Sequence, residues 1–328
     1  MKFILLILTL GICSFLLTYL IRCFAVKNKI VSIPNERSLH TIPTPLGGGL
    51  AIVLTWYIGI TIFYFYGIVD KFLYFALLSG VLLAIVSLID DIIGLRPIFR
   101  LIIHFITAIL AFVFLHGLRP LIIPGFDINY QFIVYPFAIV GMVWFINLYN
   151  FMDGVDGLAS VEAIIICSVL FAFSGNIINI LLIACITGFL YWNWPKAKIF
   201  MGDVGSTQLG FILVVLGIYF HNTFKFSILN WIMLSSPFWF DATLTLFRRW
   251  SDGGILSESH RKHAYQRIVQ AGYSHRKVIF FFILINIFIV LMIMLYREIK
   301  VLQIPLFLLS LAFYYYITKQ VDKRTPFK

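Results

Sequence analysis

Apolar runs of about twenty residues, separated by short polar stretches, recur along almost the whole chain. That is the length a helix needs to cross a bilayer. Eleven such runs predict helices over roughly 3–25, 46–66, 72–93, 98–116, 132–149, 157–174, 177–194, 207–220, 228–248, 277–296 and 301–318. The 207–220 run is short and open to extension at either end. No small-residue cleavage site follows the first run, which is read as a retained helix rather than a signal peptide.

Composition supports the same picture. Of the 328 residues, 61% are hydrophobic and 12% charged, where a soluble domain carries roughly a quarter charged residues. The expected fold is all-α, a polytopic integral membrane protein with about 11 transmembrane helices. Neither an internal repeat nor a low-complexity linker is visible, so residues 1–328 are read as one domain.

Charge adds an orientation. Nineteen of the 25 Lys and Arg residues fall in the loops after odd-numbered runs or in the C-terminal tail. Basic loops stay cytoplasmic, which puts the N-terminus outside and the C-terminus in the cytoplasm. The net charge of +11 is therefore mostly topological, and its division among short loops argues against nucleic-acid binding. The basic face can still attract anionic lipid or phosphorylated substrates. Cys13, Cys23, Cys167 and Cys185 lie within or beside apolar runs without metal-ligand spacing and read as packing residues.

The polar motifs share that face. NERSLHTIPTPLGGG, DDIIGLRPIFR, NLYNFMDGVDGLAS, NWPKAKIFMGDVGS and SHRKHAYQR follow runs 1, 3, 5, 7 and 9. The opposite loops are short or bland. Five carboxylates, Asp90, Asp91, Asp153, Asp156 and Asp203, crowd three of these loops. If the loops converge, each ionised pair at about 4 Å repels by roughly 4 kcal/mol at an effective dielectric near 20. Such a cluster needs Lys or Arg or a hard metal ion such as Mg2+.

Plainer readings exist for each motif. Asp90 and Asp91 can be solvated at a helix end, where the helix dipole mildly disfavours them. Asp153 and Asp156 can cap a helix, although Asn147, Asn150, Asp153 and Asp156 also recur every three residues along one edge. Gly47, Gly48 and Gly49 can serve close helix packing or bring backbone N–H groups to a phosphate. Asp203 opens a helix start where an anion is favoured and where it can hold the accompanying metal. His260 and His263 stand among Arg261, Lys262 and Arg267, which favours phosphate contact over metal binding. Asp241 lies inside a run, where a carboxylate is functional by default, unless it pairs with Arg248 or Arg249.

In their order along the chain, these motifs resemble the polyprenyl-phosphate N-acetylhexosamine-1-phosphate transferases, glycosyltransferase family 4, related to phospho-N-acetylmuramoyl-pentapeptide transferase. The resemblance covers about residues 30 to 277. It rests on PxxRSLHxxPTPxGGG, the DD pair, NxxNFMDGxDGLA, FMGDxGSxxLG and a basic loop with histidines. HRKHAYQR departs from the His-rich peptidoglycan version and looks like the branch that initiates O-antigen or common antigen.

The resemblance implies a bacterial inner-membrane enzyme with a cytoplasmic active site. Its substrates would be undecaprenyl phosphate and UDP-N-acetylglucosamine or a UDP-linked 6-deoxy-N-acetylhexosamine, with UMP as product, and a homodimer is admitted. Asp203 matches a magnesium ligand, with Mn2+ as an alternative ion. Asp90 and Asp91 match the pair that activates or positions the lipid phosphate. Asn150, Asp153, Gly154, Asp156, Asn193 and Phe200 match the nucleotide pocket. Arg96, Arg100, His260 and His263 match phosphate-contacting positions. Direct attack by the lipid phosphate is expected over an aspartyl-phosphate intermediate. The rivals are a secondary transporter of an anionic solute, a CDP-alcohol phosphotransferase and an inactive membrane protein.

Overall fold

The computed structural model describes residues 2–34, 38–123, 126–128, 130–255 and 260–327. Every predicted run is helical: α1 (Lys2–Lys27), α2 (Gly49–Phe65), α3 (Lys71–Leu78) with α4 (Gly80–Ile93), α5 (Pro97–Phe114), α6 (Gln131–Phe151), α7 (Leu158–Ser174), α8 (Ile178–Asn193), α9 (Asp203–Asn222), α10 (Ile228–Leu234) with α11 (Ser236–Ser251), α13 (His275–Glu298) and α14 (Gln303–Arg324). Two runs are broken. The 72–93 run breaks at Ser79, whose hydroxyl donates back to the Ala76 carbonyl at 2.7 Å. The 228–248 run breaks at Ser235, just before Pro237, whose ring nitrogen cannot continue a helical ladder. The remaining elements are a short helix α12 (Ala264–Gln270), a 3-10 turn at Lys300–Leu302 and two small antiparallel pairs, β1 (Val31–Ser32) with β2 (Thr44–Pro45) and β3 (Leu121–Ile123) with β4 (Phe126–Ile128).

Among the described residues, seven helical stretches are long and apolar enough to cross a membrane, and α2, α7 and α8 are shorter apolar helices. The fold is all-α, that of a polytopic membrane protein. On α1 the apolar residues Ile4, Leu5, Leu8, Ile12, Leu16 and Leu20 are exposed, a surface that water would penalise and lipid would not.

The chain forms two compact units, Met1–Ser32 with Thr44–Ile228, and Ile33–Pro43 with Leu229–Lys328. In the first, α9 is the central helix and packs against α2, α3, α4, α5, α6 and α7. Its sequence is apolar on all sides, as expected of a helix surrounded by others. At its start Gly205 meets Gly49 of α2 so closely that a Cβ on Gly49 would lie 2.4 Å from the Gly205 Cα. A side chain at either position would push the two helix starts apart. The GGG segment is tied to the 200s loop by backbone bonds: Phe200 N donates to the Pro45 carbonyl (2.8 Å), Gly48 N to Phe200 (2.9 Å) and Gly49 N to Met201 (2.8 Å). The N–H groups of Gly48 and Gly49 are thus spent on packing and do not cradle a phosphate.

In the second unit, α12 packs against α11, α13 and α14. Its polar core is built on Arg267, only 2% exposed, which donates to Asp322 at 2.7 Å and to the Thr325 carbonyl at 2.8 Å. Arg248 shares the same Asp322 oxygen at 3.0 Å, and its guanidinium lies 3.8 Å from the Phe327 ring centroid.

Candidate active site

The site in the first unit starts where α4 ends. Gly94 closes α4 in the left-handed region (φ 67°) and donates to the Asp90 carbonyl. The chain then turns into α5, with Pro97 in its first turn. The turn places Leu95 N 2.6 Å from Asp90 Oδ1, and Arg100, one turn into α5, reaches back. Its Nη1 donates to Asp90 Oδ2 at 2.6 Å and to Asp203 Oδ2 at 3.0 Å. One guanidinium nitrogen therefore joins α4, α5 and the first residue of α9.

The adjacent carboxylate does something different. Asp91 Oδ1 accepts from Asp203 N at 2.9 Å, and Oδ2 accepts from Val204 N at 3.2 Å. Asp91 caps α9 from another helix, so its charge, disfavoured at the end of α4, is favoured by the start of α9. Gly202 is required beside it: its φ is +79°, and a Cβ there would lie 2.7 Å from Asp91 Oδ2. The DD pair thus divides its work, Asp90 facing Arg100 and Asp91 anchoring the backbone that carries Asp203.

The loops after α6 and α8 complete this end of the unit. Asn150 Oδ1 accepts from Ser206 Oγ at 2.5 Å. Asn193 braces both loops: its Oδ1 accepts from Gly157 N (2.8 Å) and its Nδ2 donates to the Ile199 carbonyl (3.0 Å). Asp156 accepts from Ala197 N at 3.1 Å. Phe200 is half-buried and Gly154 exposed.

Asp153 stands apart. Its carboxyl is pushed well above the usual carboxylate range, first by burial and then by the nearby charges of Asp203, Asp156 and Asp91. Among the described residues, none donates a hydrogen bond to that carboxylate and none forms an ion pair with it. Among the described residues, these carboxylates outnumber the one cation that forms an ion pair with any of them, Arg100. No three His, Cys, Asp or Glu side chains among the described residues form a group able to hold a metal ion.

The sequence-derived residues thus separate. Asp90, Asp91, Arg100, Asp203, Asn150 and Asp153 gather around the start of α9, with Gly154, Asp156, Asn193 and Phe200 in the two loops. Arg96 is exposed at the start of α5 and makes no ion pair among the described residues. Arg37 lies outside the described residues.

His260 and His263 belong to the second unit, their rings 4.8 Å apart. Burial first, then the neighbouring His263 for His260 and Arg249 for His263, pushes each down to about 3. At neutral pH both rings are uncharged. The alternative of an Asp241 ion pair with Arg248 or Arg249 fails. Among the described residues Asp241 makes no ion pair, and Arg248 pairs with Asp322.

Sequence reasoning missed several partners. Ser206 orients Asn150. His104 lies one turn beyond Arg100 on α5, with its Nδ1 3.1 Å from Asn147 Nδ2. Because that amide nitrogen also donates to the Val143 carbonyl at 2.7 Å, Nδ1 is the acceptor and the proton sits on Nε2. The run Ser206-Thr207-Gln208 inside an apolar helix was the readable signal. Its other members bond Ser87 (3.0 Å) and Tyr57 (3.0 Å), continuing a polar ladder below the carboxylates.

Residues 73–221 match the family described as glycosyl transferase family 4. The chain is 31% identical over 278 residues to the probable undecaprenyl-phosphate N-acetylglucosaminyl 1-phosphate transferase of Bacillus subtilis (strain 168), covering 80% of this chain and 75% of the relative. It is 28% identical over 315 residues to the decaprenyl-phosphate N-acetylglucosaminephosphotransferase of Mycobacterium leprae (83% and 78% covered). It is 29% identical over 240 residues to the phospho-N-acetylmuramoyl-pentapeptide-transferase of Streptococcus thermophilus (63% and 70% covered). With its motifs in family order on an all-α membrane scaffold, the chain belongs to glycosyl transferase family 4.

Proposed function

We propose that this protein transfers N-acetylhexosamine 1-phosphate from a UDP-sugar to undecaprenyl phosphate, releasing UMP. The reading places it in the bacterial inner membrane with the carboxylate cluster facing the cytoplasm, where the basic loops lie. The observation that carries it is the Asp90–Arg100–Asp203 bridge beside Asp153, at one end of an apolar helical unit. A polyprenyl tail stays in the bilayer and a nucleotide sugar stays in water, so both meet only at such an end. The Bacillus subtilis and Mycobacterium leprae relatives are named as N-acetylglucosamine phosphate transferases of polyprenyl phosphates, which disfavours the transporter reading. N-acetylglucosamine is the sugar that two of the three names give, with a 6-deoxy-N-acetylhexosamine as the alternative. The product would start a lipid-linked surface glycan such as O-antigen.

The carboxylates fit a magnesium ion. Asp153 is crowded by like charge and lacks a donor among the described residues, and Mg2+ takes one or two carboxylates with water and substrate phosphate completing its shell. Asp203 and Asp153 would hold it. Bound there, the ion would neutralise charge on the pyrophosphate and leaving group.

The chain's own residues do the rest. Phosphoryl transfer depends mainly on positioning and charge neutralisation. A lipid phosphate oxygen forms a bond to the phosphorus that carries the sugar, while the bond from that phosphorus to the UMP oxygen breaks. Arg100 holds Asp90 and Asp203 in place through Nη1, and no described residue accepts from its Nε or Nη2, which can donate to a phosphate. A strong base is not needed, since a phosphate monoester is largely ionised at neutral pH. Asp90 then serves to orient the acceptor.

The test is UMP release by purified protein given undecaprenyl phosphate, Mg2+ and UDP-N-acetylglucosamine, with and without EDTA. Release that needs both lipid and metal supports the reading, and a panel of UDP-sugars then fixes the donor. UMP release without acceptor, or ping-pong kinetics, would overturn direct attack. Silence across the panel from folded protein would overturn the function itself.

A further inference from the structure

Within the second unit, α11, α12, α13 and α14 enclose a cavity of about 400 Å³, a size in the range of ligand pockets. Its walls are mostly apolar: Phe240 from α11, Ile268 from α12, Phe282 and Ile285 from α13, and Ile317 and Val321 from α14. Phe281 and Leu284 also line it and are exposed on α13. Both α13 and α14 are long and apolar enough to cross a membrane, so a cavity open there meets acyl chains rather than water. Among the lining residues Asp241 is the acidic one, and its carboxylate is engaged within the protein. Its Oδ1 accepts from Ala264 N at 2.8 Å and its Oδ2 from Tyr265 N at 3.1 Å.

One end of the cavity differs in character. Arg324, at the end of α14, lines it there. A neighbouring recess shares Ala271, Tyr273 and Arg324 with the cavity and adds Gly272 and Lys277. Arg324 Nη1 donates to the Tyr273 hydroxyl. The Arg324 guanidinium and the Lys277 ammonium stand 5.5 Å and 5.7 Å from the Tyr273 ring centroid, so one ring gathers both cations. Neither forms an ion pair among the described residues, and the first turn of α13 holds no acidic residue. Two exposed cations kept together without a carboxylate leave unmet positive charge at the mouth of an apolar slot. That combination is complementary to an acyl chain beneath an anionic headgroup.

We propose that this cavity binds an anionic membrane phospholipid, with one acyl chain in the slot and the phosphate at Lys277 and Arg324. Such lipids are bulk components of the leaflet and need no delivery. A polyprenyl phosphate shares the chemistry, but its head is assigned above to the carboxylates of the first unit and leaves with product at each turnover. A resident phospholipid instead ties the start of α13 to the end of α14. The site does not depend on the transferase reading.

Purified full-length protein in a non-ionic detergent is titrated with phosphatidylglycerol or phosphatidylcholine, and bound lipid is counted by native mass spectrometry. Phosphatidylglycerol should fill one tight site, and its preference over phosphatidylcholine should shrink as salt rises. Lys277→Gln and Arg324→Gln should each weaken that binding about fivefold, and together roughly twenty- to thirty-fold. Both positions are exposed, so the fold should tolerate the changes. Lys277→Arg, which keeps the charge, should stay near wild type. Lys319→Gln with Lys323→Gln removes equal charge from α14 outside the cavity lining and should cost less than about twofold. Ile285→Trp fills the slot and should weaken binding roughly tenfold. If that variant does not fold, the charge variants decide.

Equal affinity for the two lipids, an equal loss in the Lys319 and Lys323 control, or tight binding retained in folded Ile285→Trp would overturn the proposal. Displacement of phosphatidylglycerol by equimolar undecaprenyl phosphate would overturn it in favour of a polyprenyl site. Displacement by inorganic phosphate would reduce it to an anion site without a chain. A dimer that Ile285→Trp breaks while lipid binding persists would give the face to a second copy.

Discussion

Replacing Asp91 by alanine should loosen the start of α9, whereas replacing Asp90 by asparagine should not. The Asp91 carboxylate accepts from Asp203 N at 2.9 Å and Val204 N at 3.2 Å. A hydrogen bond to a charged group contributes about 1.5–3 kcal/mol, and loss of a helix cap alone costs about 0.5–2 kcal/mol. These overlap, and the Asp203 side chain is 31% exposed, so water can reach part of the freed turn. A local loss of about 2–4 kcal/mol follows. At 1.4 kcal/mol per factor of ten, exchange of the Asp203 and Val204 amides should speed up roughly thirty- to several-hundred-fold. Asp90→Asn breaks the bond to Arg100 but leaves those two amides capped, so their exchange should stay near the wild-type rate. Gly202→Ala should act like Asp91→Ala, since its Cβ would press within 2.7 Å of Asp91 Oδ2. Both aspartate variants should lose turnover, by different routes. The reasoning is refuted if α9 exchange is unchanged in Asp91→Ala, or if Asp90→Asn loosens it equally.

Two further outcomes follow from the same cluster. Arg100→Ala strips Asp90 and Asp203 of their shared cation, and because its side chain is 34% exposed the loss should be about 1–3 kcal/mol rather than the larger cost of a fully buried pair. Arg96→Ala should stay within about 0.5 kcal/mol of wild type in the same melts, and equal losses for the two would sink the assignment. Asp153 has its folded value raised, so its favourable contribution is present below the unfolded value of about 3.9 and is lost as pH rises through the folded one. Asp153→Asn should therefore melt above wild type at pH 7–8 in EDTA, with the gap closing towards pH 4. Mg2+ should narrow the gap at neutral pH, and a gap that widens towards acid would contradict the account.

The sequence alone determined the helices, because an apolar run of bilayer length has few other structures open to it. It also nominated the carboxylates, because Asp90, Asp91, Asp153, Asp156 and Asp203 are conspicuous in a chain with only 14 acidic residues. It did not determine which carboxylate does what. Asp90 and Asp91 are neighbours in sequence with the same local signal, yet one meets a guanidinium and the other a helix start, because α4, α5 and α9 converge there. Nor did it settle Gly48 and Gly49, whose N–H groups are claimed by the 200s loop 150 residues away in sequence. His260 and His263 stand in a basic loop that reads as phosphate-contacting, and the sequence did not show that burial leaves both rings uncharged. Asp241 read as either a functional carboxylate or an ion pair with Arg248 or Arg249, and the sequence did not show that it takes the first N–H groups of α12. Periodicity and composition are local properties and survive without a fold. Charge state, capping and hydrogen-bond partners depend on which distant segment arrives, and only the packed chain decides that.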